Sequence, residues 1–106
     1  MTAIFDEGVP LDLLPILRKA GCDVVGFPNR WKGTKNGRLV QLVESEGFTC
    51  LLTSDKNLPH QQNLAGRSFA IVVLPSPRLA ELKVIVSRIV DAVVTAKPGH
   101  VTLVER

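Results

Sequence analysis

The chain has 106 residues, 45% hydrophobic and 22% charged, a balance typical of globular domains and outside the range of disordered or collagen-like chains. That length supports one modest core, so a single domain spanning residues 1–106 is expected, with no long linker. A net charge of +3 and a pI near 9.2 permit phosphate-bearing partners without requiring them.

The first residues, Met-Thr-Ala-Ile-Phe-Asp, place no basic region ahead of an apolar stretch. Apolar runs such as 69–74 are far shorter than the roughly 20 residues of a membrane span. A cytoplasmic protein without a membrane partner is therefore expected. Short β-type runs at 2–5, 23–27, 48–52, 69–74 and 100–104 alternate with segments of helical period. This alternation predicts an α/β fold with a mostly parallel sheet of about five strands.

Between the first two strands, residues 11–20 predict a helix closed by Gly21; Pro15 requires either a late start or a kink. Cys22 and Cys50 lack metal-ligand spacing and read as buried, reduced thiols. A helix over 36–46 turns Leu39, Val40, Leu42 and Val43 inward and ends at Gly47. The strongest apolar stripe, Leu79, Leu82, Val86, Ile89 and Val93, predicts one helix over 78–96. Its β-branched content weakens helix propensity, so packing on the sheet or on a second copy must hold it, and a homodimer is one expected form.

In open parallel sheets, ligands bind beyond the carboxyl ends of the strands. Asp6 and Glu7 follow the first strand, and Asp55 follows the third through Thr53 and Ser54. If the strands are neighbours, the carboxylates can share a divalent ion, because clustered carboxylates need a compensating cation. The same aspartates would serve equally as caps of turns or helices. The loop after the second strand carries Arg30, Trp31, Lys32, Lys35 and Arg38. It either holds RNA phosphates with Trp31 stacked on a base, or is solvated charge with Trp31 folded onto the core. His60 lies close to Asp55 in sequence and is a candidate proton donor or phosphate contact, or plain surface. Ser76 has no identifiable base, so nucleophilic catalysis is unsupported.

Three segments, Asp6-Glu7-Gly8-Val9-Pro10, Trp31 through Leu39, and Thr53-Ser54-Asp55-Lys56-Asn57-Leu58, together with Gln61-Gln62-Asn63-Leu64 and Ile71-Val72-Val73-Leu74, give the chain a pattern that resembles the PIN-like family of small bacterial proteins. These are often described as nucleases or toxin components of toxin–antitoxin pairs. The resemblance spans most of the chain. It implies a three-layer α/β/α domain, a ribonuclease-type hydrolase using Mg²⁺ or Mn²⁺, and a cognate antitoxin as partner. Asp6 and Asp55 would be catalytic and, with Glu7, ligate the metal. Arg30, Trp31, Lys32, Lys35, Arg38 and Lys56 would hold RNA, and Asn36, Asn57 and His60 would assist. Two departures reduce the acidic set: Asn36-Gly37-Arg38 places a cation where related sequences often carry Glu, and Asn57 stands where Asp is common.

Two other functions compete with hydrolysis. One is a non-catalytic protein- or RNA-binding module in which Asp6 or Asp55 pairs with Arg38 or Lys56. The other is a phospho-receiver-like domain, which shares acids after the first strand and Asp after the third. The receiver's Lys at the end of the fifth strand is missing here, since Lys97-Pro98 precedes that strand.

Overall fold

A computed structural model describes residues 2–106. Its strands are β1 (Ala3–Phe5), β2 (Val24–Val25), β3 (Cys50–Thr53), β4 (Ala70–Val73) and β5 (Val101–Leu103). They form one all-parallel sheet ordered β2-β1-β3-β4-β5. Helices α1 (Leu13–Lys19), α2 (Asn36–Ser45), α3 (Leu58–Gln61), α4 (Leu79–Leu82) and α5 (Val86–Thr95) cover its faces. The result is a three-layer α/β/α fold.

Side chains alternate across the sheet with the period of two that strand geometry imposes. Ala3, Phe5, Cys50, Leu52, Val72 and Leu74 point to one face, where they meet Leu13 and Leu17 of α1 and Ile89 and Val93 of α5. Ile4, Leu51, Ile71 and Val73 point to the other, against Leu39, Val40 and Val43 of α2 and Leu58 of α3. The three inner strands are buried on both faces, which explains their nearly continuous apolar sequences.

The helix assignments reveal an asymmetry of hand. From β1 to β2 the chain moves one way with α1 on the first face. From β2 to β3 and from β3 to β4 it moves the other way with α2 and α3 on the second face. Those three connections share one hand. From β4 to β5 it continues in that direction, yet α4 and α5 lie on the first face, with α5 beside α1. This last crossover is opposite in hand, against a preference of about 98% for right-handed connections. No helix among the described residues therefore covers β5 on the α2/α3 face.

Several expectations are corrected. The helix over 78–96 is three pieces: α4, a 3₁₀ turn at Lys83–Ile85, and α5. Ile85 leaves the helical region at φ −121°, ψ 25°. Three successive β-branched residues, Val84, Ile85 and Val86, are poor helix formers, and the break lets Leu82, Ile85 and Ile89 all reach the core. The stripe packs on the sheet. The second strand is only Val24–Val25, and the other four lose a residue or two at their ends or shift by as much. Pro15 is accommodated by a late start: it is the third residue of α1, where its missing N–H has no intrahelical partner to lose. Gly21 and Gly47, at φ 91° and 80°, close α1 and α2 in the left-handed conformation. No helix among the described residues is long and apolar enough to cross a membrane.

Candidate functional site at the carboxyl edge

The chain order reverses at β1, so the helices following β1 and β3 lie on opposite faces and leave a crevice between those strand ends. Asp6 and Asp55 stand at this crevice. β1 and β3 are direct neighbours, with Phe5 opposite Leu52. The Asp6 N–H donates to the Leu52 carbonyl at 2.8 Å, which carries the pairing one residue past β1.

Thr53, the last residue of β3, joins the two aspartates. It is fully buried, and its hydroxyl donates to Asp6 Oδ2 at 2.7 Å while accepting the Asp55 N–H at 3.0 Å. Both capacities of the hydroxyl are thus used, as a buried hydroxyl requires. Asp6 Oδ1 accepts the Glu7 N–H at 2.7 Å, and Asp55 Oδ1 accepts the Asn57 N–H at 2.9 Å, shaping the turn into α3. Both aspartates therefore organise turns as well as sharing a pocket edge. A Cβ at Gly8 would lie 3.3 Å from Ser54 Oγ, so the loops after β1 and β3 approach closely.

Asp6 is half-buried, whereas Glu7 and Asp55 are exposed. No group of three or more His, Cys, Asp or Glu side chains gathers at metal-binding spacing among the described residues. Asp6, Glu7 and Asp55 do not close into a cage. Each Asp6 oxygen accepts one hydrogen bond, which leaves lone pairs for a further contact. This donor set fits an ion such as Mg²⁺ that binds through one or two carboxylates and takes its other ligands from water and substrate phosphate.

The basic loop is corrected in part. Trp31 is 3% exposed, meeting Phe27 and Phe48 edge-on with ring centroids 6.2 and 6.1 Å away. It is a core side chain and offers no free face for a base. Arg30 lies over that ring and pairs with Glu46 at 2.7 Å, so its charge is already matched. Lys32, Lys35 and Arg38 are exposed; Arg38 reaches Gln41 at 3.3 Å. Neither Arg38 nor Lys56 forms an ion pair with Asp6 or Asp55 among the described residues, contrary to the pairing expected of a non-catalytic module. Asn36, at the start of α2, donates to Gln61 at the end of α3 at 3.1 Å, tying the two helices together beside the crevice.

Two clefts flank the aspartates. One, of about 320 Å³, lies beyond β1 and β2 and includes Glu7, Val9, Phe27 and Lys32. The other, of about 510 Å³, lies beyond β3, β4 and β5 and includes Lys56, His60, Val73, Leu103 and Arg106. His60 and Lys56 thus face the larger cleft.

Ser76, after β4, is the other buried polar residue among those described. Its hydroxyl donates to Glu81 and accepts the Arg78 N–H at 3.0 Å, and Glu81 pairs with Arg106 at 3.1 Å. The Ser76 hydrogen bond, then Arg106 and Arg78, hold the Glu81 carboxyl below its ordinary value against some desolvation. Both cysteines are free and buried; burial, then Cys22, pushes the Cys50 thiol up to about 12, while burial and then Asp23 raise Cys22. Thr53 and the Ser76–Glu81 pair were not singled out from sequence. A hydroxyl residue closing an apolar strand was the available signal at Thr53.

Comparison with protein families, curated proteins and solved structures finds no match to this chain.

Proposed function

We propose that the chain is a PIN-like cytoplasmic protein that engages RNA at the carboxyl edge of its sheet and hydrolyses phosphodiesters in an Mg²⁺- or Mn²⁺-dependent manner. It would act as a ribonuclease-type toxin whose cognate antitoxin restrains it. The observation that carries this reading is Asp6: a half-buried carboxylate at the β1/β3 crevice, fixed through both oxygens and free of any ion pair among the described residues. A carboxylate so placed presents uncompensated negative charge where a cation can meet it.

Asp6 would be the first metal contact, with Asp55 the second carboxylate within the same hydrogen-bonded unit. When bound, the ion would neutralise phosphate charge and acidify a water. The chain's own part is positioning. Thr53 fixes the Asp6 carboxylate, and Lys32, Lys35, Arg38 and Lys56, all exposed, draw the RNA backbone towards the edge.

A second reading, an RNA-binding module without hydrolysis, is favoured by the absence of a three-carboxylate cluster among the described residues. One experiment separates the two. Diverse RNAs are incubated with purified protein with and without Mn²⁺, alongside Asp6→Asn, and RNA binding is measured in parallel. Cleavage that needs the ion and falls on the order of 10²-fold in Asp6→Asn supports the enzyme. Binding without cleavage supports the module, and neither binding nor cleavage ends both readings. The β2-β1-β3-β4-β5 order is also one that receiver domains adopt, but the missing Lys at the end of β5 leaves that reading behind the others.

A further inference from the structure

The two edges of the sheet are finished differently. At β2 the edge is two residues long, and the Val24 carbonyl is taken by Arg18 Nε at 2.9 Å. At β5 the corresponding bond, from Arg88 Nη1 to the Glu105 carbonyl at 3.3 Å, falls two residues past the strand, and the Val101 and Leu103 carbonyls take no side-chain hydrogen bond among the described residues. The His100 carbonyl accepts the Ile71 N–H and the Val104 N–H donates to the Val73 carbonyl, so alternate residues face β4. By the period of two, Val101 and Leu103 turn their N–H and C=O groups outward to the free edge. They are 40% and 65% exposed and, paired with Ile71 and Val73, lie on the α2/α3 face that the last crossover leaves uncovered. Protected edges carry charge, proline or a covering element; β5 carries Val-Thr-Leu.

We propose that the β5 edge docks on the β5 edge of a second copy, antiparallel about a two-fold axis at Thr102. In that register Val101 of each chain lies opposite Leu103 of the other, and the outward N–H and C=O groups of both residues are exchanged between chains. The four exposed aliphatic side chains then meet on one face as cross-strand pairs. The ends of the strands are complementary in charge. Gly99 falls opposite Glu105 of the second copy, which sets that carboxylate against the turn bearing Lys97 and His100. All three are exposed, and neither Lys97 nor Glu105 has an ion-pair partner within its own chain among the described residues. The contact is isologous, and with the β2 edges blunted the assembly closes as a dimer instead of growing into a filament.

The test combines solution mass with amide exchange on the full chain. Sedimentation across a concentration series is expected to give twice the 11.5 kDa chain mass, and the Val101 and Leu103 amides are expected to gain protection as the dimer fills. Val101→Pro removes an outward donor without touching the β4 ladder, and Leu103→Lys sets an ammonium against Val101 of the second copy and diagonal to its own symmetry mate; each is expected to weaken self-association at least tenfold. Val84→Lys, on a side chain 77% exposed beyond the last turn of the α4 segment, should leave it unchanged. A chain that stays monomeric at high concentration overturns the proposal. So does a dimer whose Val101 and Leu103 amides exchange freely, or one that Val84→Lys disrupts and Leu103→Lys does not.

Discussion

Thr53 and Ser76 are the two buried polar side chains among the described residues, and locally they are built alike. Each lies at or just past a strand end, accepts the backbone N–H of the residue two places on, and donates to a carboxylate. They differ in what they hold. Thr53 reaches 47 positions back to Asp6, joining β1 to β3, and the acid it holds has no ion-pair partner among the described residues. Ser76 reaches only five positions on to Glu81, whose charge is matched by Arg106. The same hydroxyl motif thus leaves one carboxylate without a charged partner among the described residues and the other matched by Arg106, which is why the proposed site is at Asp6 and not at Glu81.

The largest expected contrast is in activity. If hydrolysis is observed, Glu81→Gln should leave its rate within about twofold, against the hundredfold loss expected for Asp6→Asn. Equal losses in both variants would erase the distinction. Stability should separate the hydroxyls next. Thr53→Val keeps the shape but strands Asp6 Oδ2 and the Asp55 N–H, costing about 1–3 kcal/mol. For a domain of this size the melting midpoint should fall by roughly 4–8 °C per kcal/mol. Ser76→Ala should cost less, about 1 kcal/mol, because Glu81 retains Arg106 and solvent. Thr53→Ser should recover most of the loss; if it does not, the methyl packing and not the hydroxyl was being measured.

The pH dependence is a smaller effect. Glu81 is held below its ordinary value near 4.5 by Ser76 first and then by Arg106 and Arg78. Glu44 is held down by the Ser68 N–H first and then by Arg67, at 2.8 Å each. A depressed folded-state pKa contributes stability that is present above the unfolded value and lost as pH falls through the folded one. Denaturant midpoints should therefore drop below about pH 4.5, less steeply in Glu81→Gln. Both carboxylates are only partly buried, with solvent reaching about a third of each side chain, so the change should be modest. Smallest of all is the thiol signal. With Cys50 pushed up to about 12, neither buried thiol should react with a disulfide reagent at neutral pH until the protein unfolds.

The strands were legible because their apolar runs are short and bounded by loop residues, and the fold class followed from their alternation with helical stripes. Strand order was not legible, since periodicity along one strand carries no information about its neighbour. Asp6 and Asp55 were found by their place after apolar runs. Thr53, which joins them, was hidden because its partner is far away in sequence. Trp31 sits among basic residues, and only the tertiary approach of Phe27 and Phe48 reveals it as core. The 78–96 stripe gave the correct buried face, but the break at Ile85 depends on how that face meets the sheet.

The reversed final crossover has a consequence for synthesis. Because α5 lies beside α1, the first βα unit and the last helix complete the same half of the core. A nascent chain that has emerged only as far as β4 can pair most of its strands, yet Phe5, Leu17 and Leu52 still await Ile89 and Val93. Folding during synthesis is then expected to stay incomplete until the closing segment emerges, with that half of the core exposed in the meantime; pulse proteolysis of stalled nascent chains would show protection only once α5 is out.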